Sequence, residues 1–188
     1  MARDNTKNSI KNNRVISFLD SLDIYLSSKI HNIEFSKEKE FIIYLFGRIF
    51  NPDFIFFYHF VILIYKSYFE NDFIFVFKPL LHTLISVFFT LILKKLTGRP
   101  RPLENLKVVR FSNLRKHEKN CSMPSGDSLQ SANFAIILLF YFNTNFGFFL
   151  IPLVMFSRIY FFCHYILDTI VGSIMGLILS YNIYLLIN

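Results

Sequence analysis

Long apolar runs, separated by short polar segments, make up most of the chain. They cover residues 41–50, 54–65, 73–93, 128–142, 146–162 and 165–187. A helix needs about 20 predominantly apolar residues to cross a bilayer, so the runs at 73–93 and 165–187 predict full spans. The first two runs are shorter and flank Asn51-Pro52-Asp53, which predicts two short tilted helices or one broken helix. The predicted fold class is therefore all-α, an integral membrane bundle of five or six transmembrane helices.

The N-terminal part of the chain is more polar. Residues 1–13 predict a disordered polar tail without the apolar core of a cleavable signal peptide, and residues 14–188 predict a single membrane-embedded domain. Beyond the tail, apolar residues recur at helical spacing and leave a polar side, which is typical of an amphipathic helix in the membrane interface. Packing of the same stripe against other helices is the alternative. The stripe comprises Val15, Phe18, Leu19, Leu22, Leu26, Ile30 and Ile33, and Asp20, Asp23 and Lys29 lie off it.

Composition and charge narrow the class of partner. The chain is 53% hydrophobic and 19% aromatic, which leaves few polar positions to cover a water-exposed surface. Its formal net charge is +7, and nine of its 20 Lys and Arg residues fall between Lys94 and Lys119. Such a block attracts an anionic substrate or anionic lipid head groups, and the flanking apolar runs argue against nucleic acid. Two cysteines, Cys121 and Cys163, are expected to be free thiols, with a disulfide between them as the alternative.

Two short segments at the edges of apolar runs carry groups that can bind phosphate. The first, KKLTGRPRP, spaces Lys94 and Arg101 seven residues apart; the alternative is a basic patch that binds lipid head groups. The second, PSGD, places Ser125 and Gly126 directly before a predicted helix. Free backbone N–H groups and the positive end of that helix favour an anion there. The alternative for this second segment is an ordinary helix cap formed by Ser125 or Asp127.

A third segment, SRIYFFCHYILD, adds a candidate nucleophile. His164 and Asp168 are four residues apart, so on a helix they would share a face and the carboxylate could bond one ring nitrogen. The other nitrogen would then be available to attack or to act as a base. Arg158 adds a planar cation that suits phosphate oxygens. If the helices cross in alternation, all three segments emerge on the same face of the membrane.

Taken together, these segments resemble the type 2 phosphatidic acid phosphatase superfamily of integral-membrane lipid phosphatases. The family pattern is Lys, six residues, Arg-Pro; then Pro-Ser-Gly-His; then Ser-Arg, five residues, His, three residues, Asp. The chain fits this pattern in order, spacing and membrane placement over about residues 73–188. The one departure is Asp127, which stands where the family has histidine.

The resemblance implies a hydrolase that removes a phosphate group from a lipid phosphate or lipid diphosphate with no metal or other cofactor. His164 would attack phosphorus and form a phosphohistidine, and Asp168 would orient it. The phosphoryl oxygens would be bound by the cations, the hydroxyl and the backbone of the three segments, namely Lys94, Arg101, Ser125, Gly126 and Arg158. The expected partners are the lipid substrate and the bilayer, and the oligomeric state is left open.

Location in the cell is less constrained by the sequence. The chain is expected to be a multi-pass protein of the endoplasmic reticulum, another endomembrane or the plasma membrane. The excess of basic residues between 94 and 119 favours a cytosolic position for that segment, but those charges also have a local chemical use. Six spans with a cytosolic start, together with the resemblance, place the active site on the lumenal or outer face.

Asp127 raises a question about the leaving group. The family histidine at this position protonates the leaving oxygen, whereas an exposed Asp, with a pKa of about 3.9, lacks a proton at neutral pH. Either Asp127 still acts as the acid, or the acid step is dispensable, or the protein binds lipid phosphates without catalysis. A monophosphate expels an alkoxide whose conjugate acid is about as weak as water, with a pKa of about 15.7. A diphosphate expels a phosphate monoester with a relevant pKa of about 6, so the sequence predicts a preference for diphosphate lipids.

Overall fold

A computed structural model of the protein describes residues 2–51, 54–55, 57, 61, 73–103, 108–117 and 120–187. Within these ranges the chain is helical and contains no strand, which confirms the predicted all-α class. Most of the apolar run at 54–65 lies outside the described residues, so five or six spans stay a prediction. The helices are α1 (Ala2–His31), α2 (Lys37–Arg48), α3 (Phe73–Thr97), α4 (Gly126–Phe142), α5 (Gly147–Tyr160) and α6 (Ile166–Ile187), with a 3-10 turn at Leu114–His117.

Helix α4 is the centre of the bundle and packs against α3, α5 and α6. Small residues allow this close approach. A Cβ atom added at Gly176 of α6 would lie 2.5 Å from the carbonyl oxygen of Leu129, and one added at Gly147 of α5 would lie 2.6 Å from the Cα of Ala135. The backbones of α5 and α6 therefore lie directly against α4, which fixes the ends of these helices relative to one another.

Two helices, at Phe77–Thr97 and Ile166–Ile187, are long and apolar enough to cross a membrane. The apolar helix Gly147–Tyr160 is shorter. Large apolar side chains such as Phe88 and Leu185 face outward, whereas polar side chains join the helices inside the bundle. This distribution is typical of helices that pack together in lipid.

Inside the bundle, Asn133 of α4 links three helices. Its amide nitrogen donates to Thr83 Oγ1 of α3 at 3.2 Å, and its amide oxygen accepts from Ser180 Oγ of α6 at 2.8 Å. One turn away, Gln130 Nε2 donates to Ser86 Oγ at 2.9 Å. All these side chains are buried. Their hydrogen bonds to one another satisfy polar groups that water does not reach.

Helix α1 turns its polar side toward the protein. Asp23, Ser27 and His31, spaced four residues apart, are buried, whereas Phe18 and Leu22 of the apolar stripe are exposed. The polar side contacts α5 and α6, so the apolar stripe is not what packs on the bundle, and its place in the membrane interface stays a prediction. The helix begins at Ala2, where the sequence predicts a disordered tail over 1–13; the division into 1–13 and 14–188 likewise stays a prediction.

Candidate active site

His164 lies in the turn between α5 and α6, because α5 ends at Tyr160 and α6 begins at Ile166. The prediction that His164 and Asp168 share one helix face is therefore wrong in detail. The turn holds the ring beside the first turn of α6 all the same. Oδ2 of Asp168 is 3.7 Å from Nδ1 of His164 and accepts the backbone N–H of Tyr165 at 2.9 Å. Both side chains of the pair are buried.

Arg101 of the first segment faces the opposite nitrogen of the same ring. Its Nη1 is 3.2 Å from Nε2 of His164 and donates to the carbonyl oxygen of Cys163 at 2.8 Å. Its Nε donates to the carbonyl oxygen of Asn120 at 2.6 Å. Since a guanidinium can only donate, this contact requires a lone pair on Nε2 and places the ring proton on Nδ1, toward Asp168. The lone pair of the His164 ring therefore faces the Arg101 guanidinium.

The second segment connects the end of α3 with the start of α6. Ser125 caps α4, since its Oγ accepts the backbone N–H of Ser128 at 3.4 Å. This is the helix cap that the sequence offered as the alternative to an anion site. Its own backbone N–H donates to the carbonyl oxygen of Asp168 at 2.9 Å. Lys94 donates from Nζ to the carbonyl oxygen of Cys121 at 2.9 Å, and a Cβ added at Gly126 would lie 3.7 Å from Lys94 Cε. The three segments thus meet at one end of the bundle.

Asp127 and Arg158 form a buried ion pair. Oδ2 of Asp127 is 3.1 Å from Nη2 of Arg158, and Nη1 of Arg158 donates to the carbonyl oxygen of Gly47 in α2 at 3.0 Å. An ion pair of this kind uses the ionised carboxylate, which has no proton to donate. Asp127 therefore balances the charge of Arg158 in this arrangement, and Arg158 is oriented by α2 from its other side.

Arg99, a further cation of the first segment, is a charged residue of the site that was not among the predicted site residues. Its Nη1 is 2.7 Å from Oδ1 of Asp168, and its Nη2 is 2.8 Å from Asp23 and 2.6 Å from Asp20. Burial disfavours the charged guanidinium, but the hydrogen bonds and charges of the three carboxylates outweigh it and raise the pKa of Arg99. The guanidinium also lies 4.4 Å from the centroid of the Tyr165 ring, and burial raises the pKa of that phenol. The sequence feature that could have indicated these contacts is the pair Asp20 and Asp23, which lie off the apolar stripe of α1.

The eight residues predicted for the site fall into two contacting groups and one neighbouring pair. Arg101, His164, Asp168 and Ser125 form one group, Asp127 and Arg158 form the ion pair, and Lys94 lies beside Gly126. In the part of the chain that the structure describes, no group of three or more His, Cys, Asp and Glu side chains is arranged to hold a metal ion. Cys121 and Cys163 are not joined in a disulfide.

The fold is similar to those of two solved structures. One is the first transmembrane PAP2 type phosphatidylglycerolphosphate phosphatase from Bacillus subtilis, with a TM-score of 0.76 and 19% identity over 89% of this chain and 85% of that chain. The other is LpxE from Aquifex aeolicus, with a TM-score of 0.65 and 23% identity over 87% of this chain and 94% of that chain. No curated protein matches the sequence significantly. The sequence model of the PAP2 superfamily matches residues 75–188, a range that contains every predicted site residue, and the chain belongs to the PAP2 superfamily.

Proposed function

We propose that this protein is a membrane-embedded lipid phosphatase that hydrolyses a lipid phosphate or diphosphate through a phosphohistidine. Membership in the PAP2 superfamily supports the class of reaction. The observation that carries the proposal is the environment of His164, which has Asp168 beside one ring nitrogen and the Arg101 guanidinium beside the other. A neutral imidazole whose lone pair points toward a cation is positioned to attack the phosphorus atom of a phosphate group whose oxygens are bound by that cation.

In the first step, Nε2 of His164 forms a bond to phosphorus while the bond from phosphorus to the leaving oxygen breaks. The leaving group departs with the bonding electron pair. The ring then carries the phosphoryl group on Nε2 and its proton on Nδ1, where Asp168 stabilises the positive charge that develops. In the second step, water attacks phosphorus, phosphate leaves, and the electron pair returns to Nε2.

The phosphoryl oxygens would be held by charges from all three segments. Lys94, Arg101 and Arg158 supply the positive charge, and Ser125 and Gly126 supply the hydroxyl and backbone N–H groups near the start of α4. Such fixed donors stabilise the charge that spreads over the oxygens in the transition state, which is the largest contribution in most phosphoryl transfers. The resemblance to the family implies that this set of cations acts without a metal.

The ion pair of Asp127 with Arg158 supports a preference for diphosphate lipids. In that pair the carboxylate is ionised and cannot protonate a leaving oxygen. A monophosphate would then have to expel an unassisted alkoxide, whereas a diphosphate expels a phosphate monoester that is stable as an anion.

The same ion pair favours a second candidate function. A superfamily member that has lost its general acid could bind lipid phosphates through the three cations without hydrolysing them. Such a protein would bind a lipid diphosphate and inorganic phosphate but release no product. The two functions therefore differ in one measurable quantity, the release of phosphate by the folded protein.

We further propose that the site lies on the lumenal or outer face of an endomembrane or of the plasma membrane, which is where six spans with a cytosolic N-terminus would put it. A cysteine introduced at Asn113, which is exposed in the loop that follows the first segment, reports on this. In a background without native cysteines, an impermeant thiol reagent added to sealed cells or vesicles should label it only from the outer or lumenal side. Labelling from the cytosolic side would contradict the assignment.

The function is tested by phosphate release in detergent, without added metal, from matched mono- and diphosphate lipids with the same chain. We expect faster release from the diphosphate, loss of release in His164→Ala, and a higher monophosphate rate in Asp127→His. A rapid quench with labelled diphosphate should place acid-labile phosphate on the wild-type protein and none on His164→Ala. A monophosphate preference would refute the specificity, and binding without release from any of the lipids would establish the second candidate.

A further inference from the structure

We propose that α1 is a positioning element for catalysis, in which a polar stripe of Asp23, Ser27 and His31 holds the segment that carries His164 and Asp168. This inference rests on the proposed function and deepens it, because it assigns roles to residues outside the three family segments. Helix α1 lies outside those segments, whereas Arg99, which it contacts, lies within the first of them. Three independent sets of contacts, described below, join α1 to residues 160–168.

The first set of contacts completes the start of α6. The first N–H groups of a helix have no partner within it and are commonly capped by a side chain just before the helix. Here the caps come from α1. Ser27 Oγ accepts the N–H of Ile166 at 3.0 Å, and Asp23 Oδ1 accepts the N–H of Leu167 at 3.0 Å, across 139 and 144 residues of sequence. The turn of α6 that contains Asp168 is therefore held in place by α1.

The second set passes through Arg99. One edge of the guanidinium contacts Asp23 Oδ2 at 2.8 Å and the other contacts Asp168 Oδ1 at 2.7 Å. The guanidinium is planar and rigid, so it transmits the position of one carboxylate to the other. With Oδ1 of Asp168 held in this way, Oδ2 is the oxygen that remains directed toward His164. Asp23 thus acts on Asp168 both through the backbone of α6 and through Arg99.

The third set supports the turn before the nucleophile. Phe162 has a φ of 58°, a left-handed conformation that bulky residues rarely adopt and that persists only where surrounding contacts hold it. The ring of His31 stacks on the ring of Phe162 with 3.6 Å between centroids. Nδ1 of His31 also lies 2.8 Å from the carbonyl oxygen of Tyr160. The C-terminal end of α1 therefore stabilises the backbone that presents His164.

Variants of Asp23 separate the two routes to Asp168. Asp23→Asn keeps an oxygen that can accept from Leu167 but removes the charge that pairs with Arg99, whereas Asp23→Ala removes both. Asp20→Asn is the matched control, because Asp20 contacts Arg99 at the exposed edge of the cluster and makes no contact with the start of α6. For Asp23→Ala and Arg99→Gln we expect kcat to fall by about 10- to 100-fold. Asp23→Asn should lie between Asp23→Ala and the wild type, and Asp20→Asn should match the wild type.

Positioning is distinguished from general damage by binding. Inorganic phosphate should inhibit Asp23→Ala with the same inhibition constant as the wild type, and KM should be unchanged, because Asp23 contacts none of the groups proposed to bind phosphate. The inference is overturned if Asp23→Ala and Arg99→Gln keep the wild-type kcat. It is equally overturned if kcat, KM and the phosphate inhibition constant all deteriorate together in the milder Asp23→Asn variant.

A readout that does not depend on activity separates failure of this inference from failure of the proposed function. Amide hydrogen exchange of the peptide that contains Ile166 and Leu167, measured by mass spectrometry in detergent, should accelerate in Asp23→Ala and not in Asp20→Asn. If the wild-type protein releases no phosphate yet shows this difference, the proposed function is wrong and the structural basis of the positioning role is upheld. Unchanged exchange in Asp23→Ala refutes the role of α1.

Discussion

Replacement of Gly172 by alanine is a sensitive test of the site, because this residue lies where α6 meets the second segment. A Cβ at Gly172 would be 2.5 Å from the carbonyl oxygen of Ser125 and 3.2 Å from its nitrogen. That nitrogen donates the hydrogen bond to the carbonyl oxygen of Asp168. The added methyl group therefore presses on backbone that cannot rotate away, at the point where two of the three segments are joined.

The size of the effect follows from the overlap. The contact of 2.5 Å is about 0.9 Å inside the 3.4 Å at which ordinary Cβ contacts begin, so α6 and the loop must separate by a comparable distance. Overpacking of this kind destabilises a folded protein by about 1–3 kcal/mol. A displacement of about 1 Å among catalytic groups costs on the order of 100-fold in rate. At an uncrowded helix position the same substitution would instead stabilise the protein by about 1 kcal/mol, so even the sign of the change is informative.

The assay combines kcat for phosphate release from a lipid diphosphate with thermal unfolding of the same preparation in detergent. Ile178→Ala is the matched control, since Ile178 lies on the exposed side of the same helix and its truncation should alter neither quantity. A Gly172→Ala protein with a raised melting temperature and the wild-type kcat would refute the reasoning, because it would mean that α6 and the Ser125 backbone are not in contact.

Two further predictions concern stability. Burial opposes ionisation of Glu40, but hydrogen bonds led by that from Tyr160 lower its pKa below the ordinary 4.5. The stabilisation by this carboxylate is therefore complete above about pH 4.5 and is lost as the pH falls through the lower pKa of the folded state. Between pH 7 and 3, the melting temperature of Glu40→Gln should fall less steeply with pH than that of the wild type. An equally steep fall would contradict this role of Glu40. Asn133→Ala should lower the free energy of unfolding by about 1 kcal/mol with kcat retained, because Ser180 loses its acceptor, and an unchanged melting temperature would exclude that role.

Linear spacing was enough to identify the superfamily. The distances along the chain between Lys94 and Arg101, and between His164 and Asp168, reflect local geometry at helix ends, and apolar runs on either side located those ends. The contact of Arg101 with His164 joins residues 63 positions apart. It could be anticipated only because each segment borders an apolar run, so that the bundle brings them to one end.

Other features depend on contacts that no local pattern encodes. A stripe of polar residues on α1 is visible in the sequence, but Asp23 meets Leu167 across 144 residues, and nothing near either residue indicates the other. The placement of His164 outside a helix depends on the left-handed backbone of Phe162, a conformation for which an aromatic residue gives no signal. The partner of Asp127 is likewise set by the packing of α4 against α5.

Each of the three cations donates to main-chain oxygen. Lys94 is held by the carbonyl of Cys121, Arg101 by those of Asn120 and Cys163, and Arg158 by that of Gly47. Every residue type offers the same carbonyl, so the side chains at 120 and 121 are free to drift during evolution without disturbing the charges they anchor. Among homologues, Lys94 and Arg101 should therefore be more strictly invariant than the residues at 120 and 121 whose carbonyl groups hold them.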